Sequence, residues 1–183
     1  MKRSFFAVAL AGMTLVSLPF GAHAQAGKVV DFGVAAGVAI PVSDLGDVSK
    51  TGFNVTGILG FHPSMIPLGV RLDVAYSSFD IKDNPQNITG NFHFTSVTGN
   101  LVYSIPSTGV SPYLIGGAGL YNAAADLPNV ISGSDNKFGW NIGGGIKLPL
   151  SGFDTFLEAR YNQVQVDNGN SLKFIPITFG IMF

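Results

Sequence analysis

Two otherwise uncharged stretches of this 183-residue sequence, 68–79 and 155–166, each contain one basic and one acidic residue, two positions apart. These residues are Arg71 with Asp73 and Glu158 with Arg160, and Glu158 is the only glutamate of the chain. Residues two positions apart on a β-strand point to the same face. If both stretches are strands, each strand therefore presents one acidic and one basic side chain on the same face. These can form ion pairs with the basic and acidic side chains of the other strand.

The rest of the sequence is poor in charge. Only 11% of its residues are Asp, Glu, Lys or Arg, against about 25% in a soluble domain. Such a chain cannot cover an ordinary solvated surface, so part of its surface is expected to face lipid. It has no cysteine, which excludes a disulfide scaffold, thiol catalysis and cysteine-ligated metals.

The first 24 residues have the pattern of a secretory signal peptide. Lys2 and Arg3 form a charged start, residues 5–20 an apolar stretch, and Ala22-His23-Ala24 a small-x-small cleavage site. The alternative is a retained anchor helix, but the apolar run is shorter than the roughly 20 residues that a span needs. We therefore predict a signal peptide at 1–24 and one mature domain at 25–183.

Period-two alternation recurs along the mature chain between clusters of Gly, Pro, Asn and Asp, as is typical of β-strands. Short connections alternate with longer polar ones, as in barrels with periplasmic turns and extracellular loops. The sequence predicts an all-β fold, an eight-stranded antiparallel up-and-down transmembrane β-barrel, with no amphipathic helix between strands. The alternative, a soluble sandwich or lipocalin-like barrel, needs exterior charges that are missing. The predicted strands are residues 29–40, 51–61, 68–79, 92–105, 112–122, 137–148, 155–166 and 173–183.

The face that each strand turns to lipid follows from its apolar positions. The sequence does not show which face of 112–122 points outward, because both faces are apolar. It also leaves the orientation of Phe92, His93 and Phe94 undecided. Elsewhere the predicted outward residues are Leu68, Val70, Leu72 and Val74; Phe138, Trp140, Ile142, Ile146 and Leu148; and Ile175, Ile177, Phe179, Ile181 and Phe183.

The charged positions of 68–79 and 155–166 have the inward parity. A lysine or arginine facing lipid costs about 2 to 4 kcal/mol near the bilayer midplane, which favours the lumen. The two strands are four apart in a ring of eight, hence on opposite walls. We predict a lumen charge network in which Arg71 meets Glu158 and Asp73 meets Arg160. It is interpreted as a plug whose buried charges are paired; the alternative is a gate or substrate site.

Several stretches occur in an order that resembles a known family: residues 112–119 (PYLIGGAG), 138–145 (FGWNIGGG), 156–161 (FLEARY) and the last strand. The mature chain resembles the eight-stranded outer-membrane β-barrels that include OmpA-like and OmpX-like barrels and opacity-type surface proteins. The resemblance implies that Phe179, Ile181 and Phe183 form the assembly signal read by the outer-membrane insertion machinery. No peptidoglycan-binding domain follows the barrel, so a cell-wall tether is not expected.

Catalytic patterns are weak. His62 lies in a predicted turn and His23 in the signal peptide, so no histidine is clearly placed beside a serine and an acid. There is no HExxH zinc motif and no phosphate-binding loop. We therefore predict no enzyme activity, no catalytic residue, no cofactor and no metal. One alternative is a membrane-facing lipase or deacylase that pairs His93 with Ser96.

The predicted loops are acidic, which argues against nucleic acid as a partner. Solvated loop charge is the simpler interpretation, and divalent cations at a lipopolysaccharide surface the alternative. The loop charges are Asp44, Asp47, Asp80, Asp83, Asp126, Asp135 and Asp167 against Lys50, Lys82 and Lys137.

The sequence favours a non-enzymatic integral outer-membrane protein with an envelope or surface-interaction role and a lumen closed by charge. The alternatives are a narrow channel for small or hydrophobic solutes and, third, a lipid-modifying enzyme. We expect a monomer in contact with outer-membrane lipid and lipopolysaccharide. Its loops would be extracellular, and its turns and both mature termini periplasmic.

Overall fold

The computed structural model describes residues 29–63, 66–82, 90–126, 134–166 and 170–183. The predicted signal peptide at 1–24 lies outside these residues. No helix in the described ranges is long and apolar enough to cross a membrane. The described elements are β1 Val30–Val42, α1 Asp44–Val48, β2 Gly52–Phe61, β3 Leu68–Asp80, β4 Asn91–Ser104, β5 Ser111–Asp126, β6 Ser134–Pro149, β7 Asp154–Gln165 and β8 Ser171–Met182.

The eight strands form one closed antiparallel barrel, in which each pairs with its neighbours in sequence and β8 pairs with β1. The prediction of an eight-stranded up-and-down barrel is confirmed. The last residue takes part in closure, since the Phe183 N–H donates to the Phe32 carbonyl at 2.7 Å and the Phe183 carbonyl accepts from the Phe32 N–H at 3.1 Å. Closure leaves no unpaired sheet edge. A barrel in lipid requires this, because lipid cannot form hydrogen bonds with exposed backbone groups.

The barrel has two unlike ends. The turn end carries the short connections 62–67, 105–110 and 150–153, together with the C-terminal residue. The loop end carries 43–51 and the strand ends that flank 83–89, 127–133 and 167–169, which lie outside the described residues. Strands β5 and β6 extend further toward the loop end than predicted, so Asp126 and Asp135 belong to strands and not to a loop.

Helix α1 corrects the expectation that no helix lies between the strands. It is five residues long, too short for a helical period to appear in the sequence. Asp44 and Asp47 lie in its first turn, where a negative charge is favourable. Its one buried residue is Leu45, which packs into the loop end of the lumen.

Burial alternates along the strands and confirms the predicted faces. On β8, Phe179 is 56% exposed and Phe174 only 3%. On β6, Ile142 faces out and Asn141 is buried. The remaining predicted outward residues of β3, β6 and β8 are likewise exposed or half-buried.

Strand β5, whose faces the sequence left open, is now defined. Tyr113, Ile115 and Tyr121 point inward and are buried, whereas Leu114 and Leu120 are exposed on the outer wall. The odd-numbered positions of β5 therefore line the lumen.

The outer wall is apolar between two aromatic bands. On β2, Phe53 and Phe61 mark the two bands, eight residues apart. At about 3.4 Å per residue and a strand tilt of about 40°, this spacing gives a height of roughly 20 Å, close to the apolar band of an outer-membrane barrel. The turn-end band contains Phe32, Phe61, Tyr103, Phe153 and Phe183, and the loop-end band Phe53, Tyr76, His93, Trp140 and Tyr161.

The register between β7 and β8 is interrupted opposite Pro176. It stops after Ala159↔Ile177 and resumes at Asn162↔Phe174, whereas the register between β1 and β8 is continuous. Proline has no N–H and is rare inside a sheet for this reason. The proline nitrogen therefore faces β7 and leaves a gap in that ladder.

Replacing Pro176 with Ala should close this gap, because the new N–H would face the β7 backbone. We expect the amide of residue 176 in Pro176→Ala to be as protected from hydrogen exchange as the amide of Ile177, measured by NMR in lipid nanodiscs. Rapid exchange of this amide in a folded barrel would contradict the assigned gap.

Candidate functional site

Strands β3 and β7 carry the predicted lumen charges on facing walls of the barrel, four strands apart in the ring. Arg71, Asp73, Glu158 and Arg160 are all buried residues, none more than 9% exposed. Apolar residues alternate with them and face outward. The same period of two that makes the outer wall apolar therefore directs the charges into the lumen.

Glu158 contacts both arginines. Its Oε1 accepts a hydrogen bond from Arg71 Nη2 at 2.8 Å and lies 2.7 Å from Arg160 Nε. Its Oε2 accepts a bond from the Tyr113 hydroxyl at 2.8 Å. The carboxylate is thus held by three donors from three strands.

Asp73 mirrors this arrangement. Its Oδ2 accepts hydrogen bonds from Arg160 Nη1 at 2.7 Å and from Arg71 Nη2 at 3.0 Å. Each arginine therefore contacts both carboxylates, and the four side chains form a closed ring of ion pairs, which we call the charge ring. The contacts across the lumen join Arg71 to Glu158 and Asp73 to Arg160, and two further contacts run along the strands.

The charge ring is electrically neutral, with two positive and two negative groups. Burying a charge is expensive unless it is paired and hydrogen-bonded, and here every charge has two opposite partners. Amides extend the ring, since Asn100 Nδ2 donates to Asp73 Oδ2 at 3.1 Å and Asn141 Nδ2 donates to Asn100 Oδ1 at 2.9 Å. The arrangement can brace opposite walls of the barrel.

Three members of the site, Tyr113, Asn100 and Asn141, were not predicted from the sequence. Tyr113 was missed because the faces of β5 were open. The sequence did assign Asn141 to the inner face of its strand, and Asn100 alternates with apolar neighbours on β4 in the same way. Both asparagines could have been predicted from one signal, an amide side chain at an inward strand position at the same height in the barrel as the charged residues.

Two glycines of β6 leave room for the network. A Cβ at Gly143 would lie 2.7 Å from Arg160 Cγ and 2.2 Å from the Ala159 carbonyl oxygen. A Cβ at Gly145 would lie 2.6 Å from the Tyr113 ring. These inward glycines let the arginine stem and the tyrosine lie flat against the strand.

Apolar layers lie on both sides of the charge ring. Two small cavities adjoin the ring, of about 30 Å³ toward the turn end and about 20 Å³ toward the loop end, enough for one or two water molecules. The turn-side layer is Ala35, Ile58, Val102, Tyr113, Ile115, Phe156 and Met182, and the loop-side layer is Ala39, Leu45, Phe79, Phe94, Tyr121, Val164 and Phe174.

The mouth at the turn end carries two partly exposed pairs of polar side chains. His62 Nδ1 lies 2.8 Å from Asp31 Oδ2, and Lys147 Nζ lies 3.4 Å from Asp154 Oδ2. The His62 ring also packs over Gly69, where a Cβ would approach it to 2.2 Å. The predicted turn histidine thus fills part of the mouth.

The alternative catalytic pair is not formed. Ser96 is buried and faces the lumen, whereas His93, with the opposite parity on β4, lies on the outer wall and stacks on Tyr76 with ring centroids 5.8 Å apart. Side chains three positions apart on a strand point to opposite faces. The hypothesis that His93 and Ser96 act together was wrong.

Metal ligands do not converge in the part of the chain that the structure describes, where no group of three or more His, Asp or Glu side chains is arranged to hold an ion. Of the predicted loop charges, Asp83 and Asp167 lie outside the described residues. Asp44 and Asp47 are on α1.

The three residues of the predicted assembly signal lie on the outer face of β8. Phe179 and Phe183 are 56% and 42% exposed, and Ile181 is half-buried between them. Their role in assembly stays a prediction.

The sequence matches the family model of the outer membrane protein beta-barrel domain over residues 8–183. No curated protein sequence matches the chain significantly. Among solved structures, neisserial surface protein A is 20% identical, with a TM-score of 0.67 over 86% of this chain and 98% of that chain. Ail of Yersinia pestis is 22% identical, with a TM-score of 0.50 over 84% and 98%.

The N-terminal β-barrel domain of Pseudomonas aeruginosa OprF is 15% identical, with a TM-score of 0.50 over 84% of this chain and 97% of that chain. At these sequence identities, the three structures are similar to this chain in fold alone.

Replacing Glu158 with Ala should destabilise the barrel by about 3 to 5 kcal/mol, because it leaves two buried arginines sharing one carboxylate. Urea unfolding in lipid vesicles measures this loss. Asp154→Ala is the matched control, since it removes an acid of the same strand from a partly exposed pair, and should cost less than about 1 kcal/mol. Equal losses in the two variants would contradict a structural role for the charge ring.

Replacing Gly143 with Ala should also destabilise the barrel, by about 1 to 3 kcal/mol, because the methyl group overlaps Arg160 and the adjoining backbone. Gly99→Ala is the control, since a Cβ there meets nothing within 4 Å. Both are compared by urea unfolding in the same vesicles. A Gly143→Ala barrel as stable as Gly99→Ala would show that the arginine stem does not need this space.

Proposed function

This chain belongs to the outer membrane protein beta-barrel domain family, and from that premise we propose that it is a non-enzymatic integral outer-membrane protein with a closed lumen. It serves the cell envelope or surface through its loop end. The charge ring is the observation that carries this proposal, because it fills the lumen between opposite walls with paired groups. An eight-stranded barrel has an interior that side chains alone can fill.

Closure does not depend on the charge ring alone. The apolar layers lie above and below it, and a hydrated ion would have to pass all three. A gate needs a second arrangement of similar energy, whereas every charge here already has two partners. These contacts support a plug over a channel.

The proposed orientation has the loop end outside the cell and the turn end, with both mature termini, in the periplasm. Short turns at one end and longer polar connections at the other support it. In this orientation the apolar wall faces outer-membrane lipid, and the loop-end aromatic band meets the lipopolysaccharide leaflet. We further propose that the chain is a monomer and that the outer-membrane insertion machinery reads Phe179, Ile181 and Phe183.

Planar-bilayer recording tests the closed lumen. We expect the refolded protein to give no defined current steps, because the charge ring and the two apolar layers occupy the lumen between its two ends. Steady open steps of uniform size would contradict the proposal and favour a narrow channel for small solutes.

Incubation with lipopolysaccharide and phospholipid tests the absence of lipid chemistry. We expect no released fatty acid, because His93 and Ser96 face opposite sides of the sheet. Release that is lost in His93→Ala or His62→Ala would overturn the non-enzymatic assignment.

A further inference from the structure

The loop end of the lumen contains an aromatic pocket. Phe79, Phe94 and Phe174 pack against one another with ring centroids 5.4 to 6.0 Å apart. Tyr121 adds its ring, and its hydroxyl donates to Asn162 Oδ1 at 2.9 Å. The polar atom of the tyrosine is thus already satisfied. We call these four residues, with Ala39 and Val164, the loop-end pocket.

Leu45 of helix α1 fills the loop-end pocket. Its side chain is 2% exposed, although it belongs to a five-residue helix that has no other buried residue. Val48, three positions later on the same helix, is 49% exposed. Leu45 is therefore the one side chain by which α1 enters the pocket, and among the described residues it fills the space between the aromatic rings.

Both ends of the α1 segment are under strain in this closed position. Ser43 precedes the helix with φ 53 and ψ −142, and its side chain caps no helical N–H. A non-glycine residue with positive φ is uncommon and costs free energy. Ser49 follows the helix with its hydroxyl buried and without a hydrogen-bond partner, which is a second cost.

The closed position is held by hydrogen bonds to the connection after β3. Lys82 Nζ donates to the Gly46 carbonyl, and the Lys82 N–H donates to the Val48 carbonyl at 2.9 Å. Ser49 also pairs with Ile81 in an isolated antiparallel bridge. If α1 moved away, water could replace these bonds at small cost, and the Lys82 ammonium would lose its acceptor beside the pocket.

We propose that Leu45 is a displaceable stopper and that the loop-end pocket binds the hydrocarbon chain of an anionic amphiphile of the fatty-acid class. The chain end replaces the leucine side chain among the aromatic rings. The carboxylate pairs with the Lys82 ammonium that the displaced helix releases. The inference goes beyond the proposed function and does not depend on a closed lumen, because the charge ring lies deeper than the pocket.

Binding of dansyl-labelled undecanoic acid to the protein in phosphatidylcholine nanodiscs tests the pocket. Leu45→Ser should bind the probe roughly tenfold to a hundredfold more tightly than the unaltered protein, since the probe no longer displaces a buried leucine. Val48→Ser is the matched control and should leave the affinity unchanged. Equal affinity of the two variants, or no saturable binding to either, would overturn the proposal.

The part of Lys82 is tested by competition in the Leu45→Ser background. Dodecanoate should displace the probe at lower concentration than dodecanol, which has the same chain without the charge. Adding Lys82→Ala should remove this difference. A difference that persists without Lys82 would overturn the assignment of the headgroup contact.

A tether tests the movement of α1 without altering Leu45. The chain has no cysteine, so Ser49→Cys/Ile81→Cys introduces a single possible disulfide across the bridge between these residues. Oxidation should lower probe binding at least fivefold, and reduction of the same sample should restore it. Equal binding in both states would show that α1 need not move. Conduction by the lumen, with these results intact, would contradict only the proposed function.

Discussion

The structure depends on one geometrical constraint, the narrowness of a barrel closed by eight strands. Every side chain of such a strand points either to the surroundings of the barrel or into a lumen that side chains must fill. Water cannot enter freely to solvate an inward charge, and lipid cannot solvate an outward one. The few charges of this sequence therefore have a single acceptable arrangement, which is mutual pairing across the lumen.

The ring of Arg71, Asp73, Glu158 and Arg160 satisfies that constraint with more contacts than two separate pairs would. Each arginine contacts both acids, and a tyrosine and an amide donate further hydrogen bonds to them. Replacement of such a network by apolar residues is often neutral for stability. Its distinctive effect is to fix the register of facing walls, because a slip of β3 or β7 by one residue would turn both of its charges to the outer wall.

The sequence predicted the features that follow from the alternation of apolar and polar residues along a strand, and it missed the features that do not. The faces of β3, β6 and β8 followed from alternating apolar residues, and the inward charges followed from the cost of exposing them to lipid. The faces of β5 did not follow, because Gly116 and Ala118 on one side and Gly117 and Gly119 on the other are equally small. For that reason Tyr113 was not predicted as a member of the site. Helix α1 was missed because five residues carry no detectable helical period.

The two ends of the lumen are closed by different means. At the turn end the connections are short, and the His62–Asp31 and Lys147–Asp154 pairs lie at the mouth, so opening it would break these contacts and the tight turns. At the loop end, among the described residues, the pocket is filled by one leucine on a short helix with a strained residue before it and an unsatisfied hydroxyl after it. Segments of low local stability are where proteins accommodate ligands. The charge ring lies beneath that segment and joins β3 to β7, so the contacts across the lumen do not involve α1.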